Sequence, residues 1–307
     1  MSSDPFISND NFIFYSDISL TEYYSKSILD SLFSNYIQYK HPKHIVVFVA
    51  TEFLEIYLPY MLMVHYPFVL ITTSNDDPCI PYYYFPCRNP EIQQNHDALL
   101  AHPPLLRWFT KNPSICHPKL VPIPLGPKWQ YTNHAFFGED KEPIIKVLRT
   151  HCLTPLENFK GFMNECIKDK LLYFHFGQTT DDPFYTPHKG IREEVLEICQ
   201  KEFTLSAGAD FENYLISLSE HRFALSPPGR GLDTHRTWEA LMVGTVPIVI
   251  RSPLDILYDK LPVLIVDDWS EITPEFLEER WLEFQKGVYD FSRLYAPYWK
   301  EKVRINR

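Results

Sequence analysis

Residues 226–250 constrain the fold most, because a glycine-rich turn, a helix start and a buried strand follow one another there. The apolar run 223–225 ends in SPPGRG, which is too rich in proline and glycine to continue a strand. Asp233 or Thr234 is suited to begin a helix. Val246–Ile250 is apolar throughout, as is typical of a parallel strand covered on both faces. The segment therefore predicts an α/β fold with a parallel sheet.

The rest of the chain alternates between strand and helix patterns in the manner of a doubly wound sheet. The predicted strands are residues 44–50, 67–73, 120–125, 171–176, 203–206, 222–225, 246–250 and 263–266. The predicted helices are residues 52–63, 144 to about 170, 191–200, 210–219 and two aromatic helices within 274–307. We expect two domains, with a boundary near residues 165–170.

Two residues of opposite charge lie near the start of the predicted helix that follows the glycine-rich turn. Arg236 and Glu239 are spaced to share one helix face. Arg236 can reach a diphosphate, and Glu239 can accept hydrogen bonds from a ribose diol. The helix start also directs backbone N–H groups and a positive dipole end toward an anion. A surface ion pair is the alternative for this spacing, and the preceding turn favours a nucleotide-sugar site.

Other residues of the second half are predicted to contact the same ligand. Gly177 and Gln178 follow its first predicted strand, where a loop commonly meets a diphosphate. A nucleoside diphosphate gains negative charge as it leaves, so nearby arginines are candidates to stabilise it, with a structural salt bridge as the alternative for each. The predicted donor-binding residues are Gly177, Gln178, Arg192, Ser226, Gly229, Arg230, Gly231, Asp233, Thr234, Arg236 and Glu239.

A second set of residues is predicted to take up a proton. Asp76 and Asp77 follow the predicted strand 67–73, at the carboxyl end where α/β sheets bind ligands. A sugar hydroxyl is a poor nucleophile, so its transfer requires a base, and either aspartate is a candidate. The alternative is that residues 74–78 only build a turn. Weaker candidates of the same kind are Glu52 and His102.

Four more blocks extend the pattern along the chain: residues 68–77, 106–112, 118–126 and 261–269. Together with residues 226–250, they resemble blocks of the exostosin-like glycosyltransferases, in the order of that family. The resemblance implies the GT-B fold, with two Rossmann-like domains, an interdomain cleft and a C-terminal helix that crosses back. It further implies an acceptor-binding domain over residues 1–168, a nucleotide-sugar-binding domain over 169–285 and a returning helix over 286–307.

The resemblance also implies an enzyme. The expected activity is the transfer of a sugar, such as xylose or another UDP-activated sugar, to a hydroxyl of a glycan or glycoprotein, with inversion. The sequence contains no Asp-x-Asp and no Cys/His grouping of zinc type, so we expect no metal and no cofactor beyond the nucleotide-sugar co-substrate. Asp267 and Asp268 end a predicted strand, where they either point into the site or cap the next helix.

Two other classes of protein remain open. Another nucleotide-dependent Rossmann enzyme would use Gly229 and Gly231, which form half a dinucleotide fingerprint that lacks its third glycine. A non-catalytic carbohydrate-binding protein would use the aromatic residues, 15% of the chain, for stacking. A nucleic-acid binder is not expected, because the formal net charge is −10.

Composition further predicts a soluble, cytoplasmic protein. No apolar run is long enough to span a bilayer, and the first twelve residues, MSSDPFISNDNF, lack the features of a signal peptide. The six cysteines are expected to be free thiols in a reducing compartment. A local disulfide between Cys79 and Cys87 is the alternative.

Overall fold

The computed structural model describes residues 9–73, 90–127, 130–131, 139–140, 168–177, 190–206, 208–229 and 231–304 of the 307-residue chain. The chain forms two compact units. The first unit comprises Met1–Leu125 and Tyr295–Arg307, and the second comprises Gly126–Leu294. Each unit contains a parallel sheet, which confirms the predicted α/β class.

The first unit is built on a sheet of five parallel strands whose spatial order follows the chain. The strands are β1 (Ile18–Leu20), β2 (Ile45–Val49), β3 (Phe68–Thr72), β4 (Leu105–Thr110) and β5 (Leu120–Pro122). β2 and β3 are buried at every position. Their uninterrupted apolar sequences are therefore explained by coverage on both faces of the sheet.

Five helices of the first unit lie in the described residues: α1 (Asn9–Tyr15), α2 (Lys26–Lys40), α3 (Leu54–Met61), α4 (Pro90–Ala101) and, near the end of the chain, α9 (Ala296–Val303). Residues of α2, α3 and α4 share one hydrophobic core with the strands. α1 and α9 pack together: the Phe12 and Trp299 ring centroids are 6.1 Å apart, and the Tyr15 hydroxyl donates to the Ala296 carbonyl at 3.1 Å. The end of the chain is thereby attached to its beginning.

The described residues of the second unit form two sheets. A small antiparallel pair consists of β6 (Gln130–Tyr131) and β7 (Glu139–Asp140). The larger sheet has four parallel strands in the order β11-β10-β9-β8. These strands are β8 (Lys170–Tyr173), β9 (His221–Leu225), β10 (Val246–Ile250) and β11 (Leu264–Val266). The predicted helix over residues 144 to about 170 does not include Lys170, because this residue begins β8. Residues 144–167 lie outside the described residues.

Helices cover both faces of this larger sheet. They are α5 (Ile191–Cys199), α6 (Phe211–Ser219), α7 (His235–Met242) and α8 (Pro274–Phe284). Phe223 of β9 meets Trp281 and Phe284 of α8, with ring centroids 5.8 and 6.2 Å away. Tyr173 of β8 is paired with the residue after Phe223, and its ring meets Tyr214 of α6 at 5.8 Å. Successive residues of a strand point to opposite faces, so α6 and α8 lie on opposite sides.

The predicted strand over residues 203–206 is not a strand in the structure, yet it runs beside the end of β8. The Ser206 N–H donates to the Phe174 carbonyl at 3.0 Å, and the Phe174 N–H donates to Ser206 Oγ at 3.2 Å. A side-chain oxygen thus replaces one backbone partner of a regular ladder.

Open α/β sheets bind ligands outside the carboxyl ends of their parallel strands. The carboxyl ends of β8 and β9 are therefore where a ligand is expected.

The C-terminal region was predicted to contain two aromatic helices, and α8 and α9 confirm this. Among the described helices, none has both the length and the apolar character needed to cross a bilayer.

Candidate functional site

The loop that follows β9 is tied to the first turn of α7 by three hydroxyl groups. Ser226 Oγ lies 2.6 Å from Thr234 Oγ1 and 2.7 Å from Thr237 Oγ1. The Ser226 N–H donates to the Ile248 carbonyl of β10 at 2.9 Å. Ser226 is 2% exposed, so its hydroxyl acts within the protein interior. The predicted residues Ser226 and Thr234 thus hold the loop and the helix start in place.

The start of α7 is stabilised by an aspartate outside the helix. Thr234 is the N-cap, but its side chain makes no capping hydrogen bond. The carboxylate of Asp233 accepts instead from the Thr234 N–H at 2.9 Å and from Trp238 Nε1 at 2.8 Å. Asp233 is 3% exposed. The structure therefore places this predicted donor-binding residue inside the protein, where its charge faces the positive end of the helix.

Arg236 lies among three aromatic rings. Its guanidinium carbon is 5.8 Å from the ring centroid of Tyr173 and 5.7 Å from those of Phe176 and Tyr214. Cations over aromatic faces at this distance are attracted by the ring quadrupole. Its two hydrogen bonds to described residues are long, at 3.5 Å to the Tyr214 hydroxyl and 3.5 Å to the Leu225 carbonyl. These weak contacts leave the guanidinium well suited to a stronger acceptor.

The charge of Arg236 is maintained despite its surroundings. Burial by itself would lower the pKa of Arg236. The neighbouring Tyr214 and Tyr173 and the Glu239 carboxylate outweigh burial, so the pKa is raised. Arg236 is therefore a permanent cation at the carboxyl end of the sheet.

Glu239 lies one turn further along α7 and is 4% exposed. The Tyr214 hydroxyl donates to Glu239 Oε2 at 2.6 Å. Burial, and next the negative charge of Glu239, raise the pKa of Tyr214 well above 10.0, so the hydroxyl keeps its proton. No ion pair joins Arg236 to Glu239 in the part of the chain that the structure describes. The surface ion pair considered as the alternative for these two residues is thus not formed.

A second arginine contacts the loops that follow β8 and β9. Arg192 Nε donates to the Pro228 carbonyl at 2.9 Å, and Nη1 donates to the Gly177 carbonyl at 2.8 Å. Its guanidinium lies 5.8 Å from the Phe176 ring centroid, so Phe176 contacts both arginines. Arg192 therefore ties the loop after β8 to the loop after β9.

Gly229 leaves room for Arg192 beside the second loop. A Cβ on Gly229 would lie 2.7 Å from Arg192 Nη2, closer than real contacts allow. The Gly229 N–H donates to the Gly231 carbonyl at 3.0 Å, which closes the turn. The predicted residues Gly229 and Gly231 thus shape the loop beside the guanidinium group.

The structure brings most of the predicted donor-binding residues to one region, at the ends of β8 and β9 and the start of α7. This set comprises Gly177, Arg192, Ser226, Gly229, Gly231, Asp233, Thr234, Arg236 and Glu239. Gln178 and Arg230 lie outside the described residues, as do Asp76 and Asp77. Tyr173, Phe176 and Tyr214 were not predicted to belong to the site, because an aromatic residue in such a position usually indicates core packing.

The weaker base candidates have different surroundings. Glu52 is exposed in a 3₁₀ turn, Thr51–Phe53, directly after β2. His102 precedes β4, and its Nε2 lies 2.8 Å from the carbonyl of Val64, which precedes β3. His102 therefore lies at the amino ends of the strands. This position does not favour a role as base for His102, because ligands of such sheets bind at the opposite ends.

The aspartates after β11 have structural partners. Asp268 accepts from the Ser270 N–H at 2.8 Å and forms a capping box with Glu271, which confirms the capping alternative. Asp267 pairs with Arg251, and this hydrogen bond lowers the pKa of Asp267. Over the described residues, no group of three or more His, Cys, Asp or Glu side chains has the arrangement of a metal site.

Neither a scan against protein-family models nor a search of curated proteins finds a match to this chain.

Proposed function

We propose that this protein is a glycosyltransferase of the GT-B type, whose second unit binds the nucleoside diphosphate of a sugar donor. One observation carries the proposal: Arg236, enclosed by aromatic rings, and Glu239, held by Tyr214, lie on one turn of the helix that follows β9. The return of Tyr295–Arg307 to the first unit supports the GT-B arrangement.

The diphosphate is supported by the distribution of positive charge. Arg192 and Arg236 both contact Phe176, so two cations share one ring. Like charges repel unless a counter-charge accompanies them, and the repulsion is large where water is excluded. A bound diphosphate would offset both charges, and the N-terminal N–H groups of α7 would add to its stabilisation.

A nucleotide, rather than a simple anion, is supported by Glu239. A carboxylate beside an anion site is unfavourable unless the ligand also carries hydrogen-bond donors. A nucleoside diphosphate supplies both features, because its ribose hydroxyls donate while its phosphates accept. Arg236 therefore matches the phosphates of such a ligand, and Glu239 matches its ribose hydroxyls.

In the proposed reaction, the sugar moves from the diphosphate to a hydroxyl of a glycan or glycoprotein bound by the first unit, with inversion at the anomeric carbon. The donor is a UDP-sugar such as UDP-xylose. Arg236 and the start of α7 stabilise the departing diphosphate without a metal ion. Asp76 or Asp77 takes the proton of the acceptor hydroxyl.

Calorimetry with UDP, a free glycan and NADH tests the class of protein. We expect binding of UDP with a Kd in the micromolar range, which corresponds to a binding free energy of about −8 kcal/mol. Lys170→Ala should bind UDP as the parent protein does, because this cation pairs with Glu220 at the end of β8 opposite the proposed site. Binding of glycan without UDP would instead indicate a carbohydrate-binding protein, and binding of NADH alone a dehydrogenase. A hydrolysis screen with UDP-sugars and GDP-sugars then identifies the donor.

The proposed base has its own test, which is the rate of sugar transfer at saturating donor. Asp76→Asn and Asp77→Asn are expected to leave UDP affinity intact. The variant that lacks the base should lose about 10²-fold or more in rate. Unaltered transfer in both variants would remove both aspartates as candidates.

A further inference from the structure

Tyr214 is the residue that contacts both charged side chains of the proposed donor site. Its ring centroid lies 5.7 Å from the Arg236 guanidinium, and its hydroxyl donates to Glu239 Oε2 at 2.6 Å. The same hydroxyl accepts from Arg236 Nε at 3.5 Å. No role for Tyr214 was predicted from the sequence.

The position of Tyr214 is well determined by its own neighbours. The ring of Tyr173 packs against it at 5.8 Å with an interplanar angle of 62°, and that of Phe211 packs at 6.0 Å. Asp210 is the N-cap of α6, and its carboxylate accepts from the Asn213 N–H at 2.9 Å. A capped helix and two ring contacts therefore leave the Tyr214 hydroxyl little freedom to move.

A carboxylate held in this way presents a defined orientation. A hydrogen bond from a donor that is itself held in place restricts the orientations open to a buried carboxylate. With Tyr214 bound to Oε2, the plane of the Glu239 carboxylate is set before a ligand arrives. Such preorganisation increases the affinity gained from each ligand hydroxyl that the carboxylate accepts.

We propose that Tyr214 is a positioning residue that makes the site selective for ribonucleoside diphosphates over 2′-deoxyribonucleoside diphosphates. The proposal rests on the proposed function, because it assumes that Glu239 accepts hydrogen bonds from the ribose. A 2′-deoxy ligand lacks one of the two donors. A site built to hydrogen-bond a ligand hydroxyl discriminates against the analogue that lacks this hydroxyl.

The experiment compares the dissociation constants of UDP and 2′-deoxy-UDP by calorimetry. In the parent protein, the ratio Kd(2′-deoxy-UDP)/Kd(UDP) is expected to be about tenfold or more, as for loss of a hydrogen bond to a charged group. Tyr214→Phe should weaken UDP binding severalfold and bring the ratio down toward one. Glu239→Gln should lower the ratio at least as much, because the charge of the acceptor is removed.

The ratio of the two dissociation constants distinguishes a positioning role of Tyr214 from a general effect on the fold. Any general loosening of the fold in Tyr214→Phe weakens both ligands alike and leaves the ratio unchanged. Tyr289→Phe is the matched control, since its hydroxyl donates to the Phe284 carbonyl at 3.0 Å on α8. This variant should keep the parent ratio.

The outcomes for the two proposals differ. An unchanged or increased ratio in Tyr214→Phe overturns the role of Tyr214. Equal binding of both ligands by the parent overturns the ribose selectivity but leaves the diphosphate site. A parent protein that binds neither ligand overturns this inference together with the proposed function.

Discussion

Trp238 donates its indole hydrogen to both carboxylate oxygens of Asp233, at 3.0 and 2.8 Å. Both residues are buried. The glycine-rich turn and the start of α7 are thus held together by a charged hydrogen bond in the interior. Asp233 matches the motif of a ligand-binding turn, but its carboxylate serves the fold.

Replacing Asp233 should therefore affect stability before it affects ligand binding. Asp233→Ala leaves the Trp238 indole N–H and the Thr234 N–H without this acceptor, which should lower the free energy of unfolding by about 2–4 kcal/mol. Chemical denaturation measures this loss. Asp259→Ala, which removes an exposed carboxylate 3.4 Å from Arg293, should change stability by less than about 1 kcal/mol. Equal losses in the two variants would contradict the structural role of Asp233.

Arg236 is expected to contribute affinity rather than stability. Arg236→Ala should weaken UDP binding by about tenfold or more, because a charge-assisted contact to a diphosphate is lost. Arg236→Lys should recover little of this loss, since an ammonium group lacks the planar fork that fits between the rings and reaches two oxygens. Calorimetry on both variants checks this, with Lys170→Ala as the control. Full affinity in Arg236→Ala would show that the donor site lies elsewhere.

Most strands of the two larger sheets, though not β1 or β4, and the start of α7 were predictable because their signals are local. Val246–Ile250 is an apolar run between turn residues, and β10 follows it residue for residue. α7 begins after Thr234, one of the two predicted caps. A local apolar pattern did not predict residues 203–206 correctly. This segment is short and ends in Ser206, whose side chain takes the place of a backbone partner, so the segment lies beside the end of β8 without forming a strand.

The aromatic enclosure of Arg236 was not predictable from local patterns. Tyr173 belongs to β8, Phe176 to the loop after it and Tyr214 to α6, so their contacts arise only when these elements pack. Each residue also fits the pattern of ordinary core packing. The proximity of Arg236 to Glu239 was predictable because both residues lie within one turn of the same helix.

Stability should fall with acidification through His221. Burial, outweighing the hydrogen bond to the Ser217 carbonyl, lowers the pKa of His221 from 6.5. The unfolded chain therefore binds a proton at higher pH than the native protein does. The contribution of His221 to the free energy of unfolding is complete above about pH 6.5 and is lost as the pH falls through the lower, native pKa.

Denaturation curves at about pH 7.5 and pH 5.5 measure this dependence. The parent should lose more stability between the two values than His221→Gln does, because glutamine does not titrate. His117, whose Nδ1 accepts from the Lys119 N–H at 3.1 Å, offers a control in the first unit. An equal loss in the parent and His221→Gln would exclude His221 as a source of the acid sensitivity.

The contact between Gly229 and Arg192 predicts a coupled effect on affinity. A Cβ on Gly229 would meet Arg192 Nη2 at 2.7 Å, and a flexible side chain yields more easily than a backbone. Gly229→Ala should therefore fold normally while displacing the guanidinium from the carbonyls of Gly177 and Pro228. We expect a severalfold loss of UDP affinity, and a smaller or absent loss when the same change is made in Arg192→Ala. Additive losses in this double-mutant cycle would mean that Gly229 affects the site independently of Arg192.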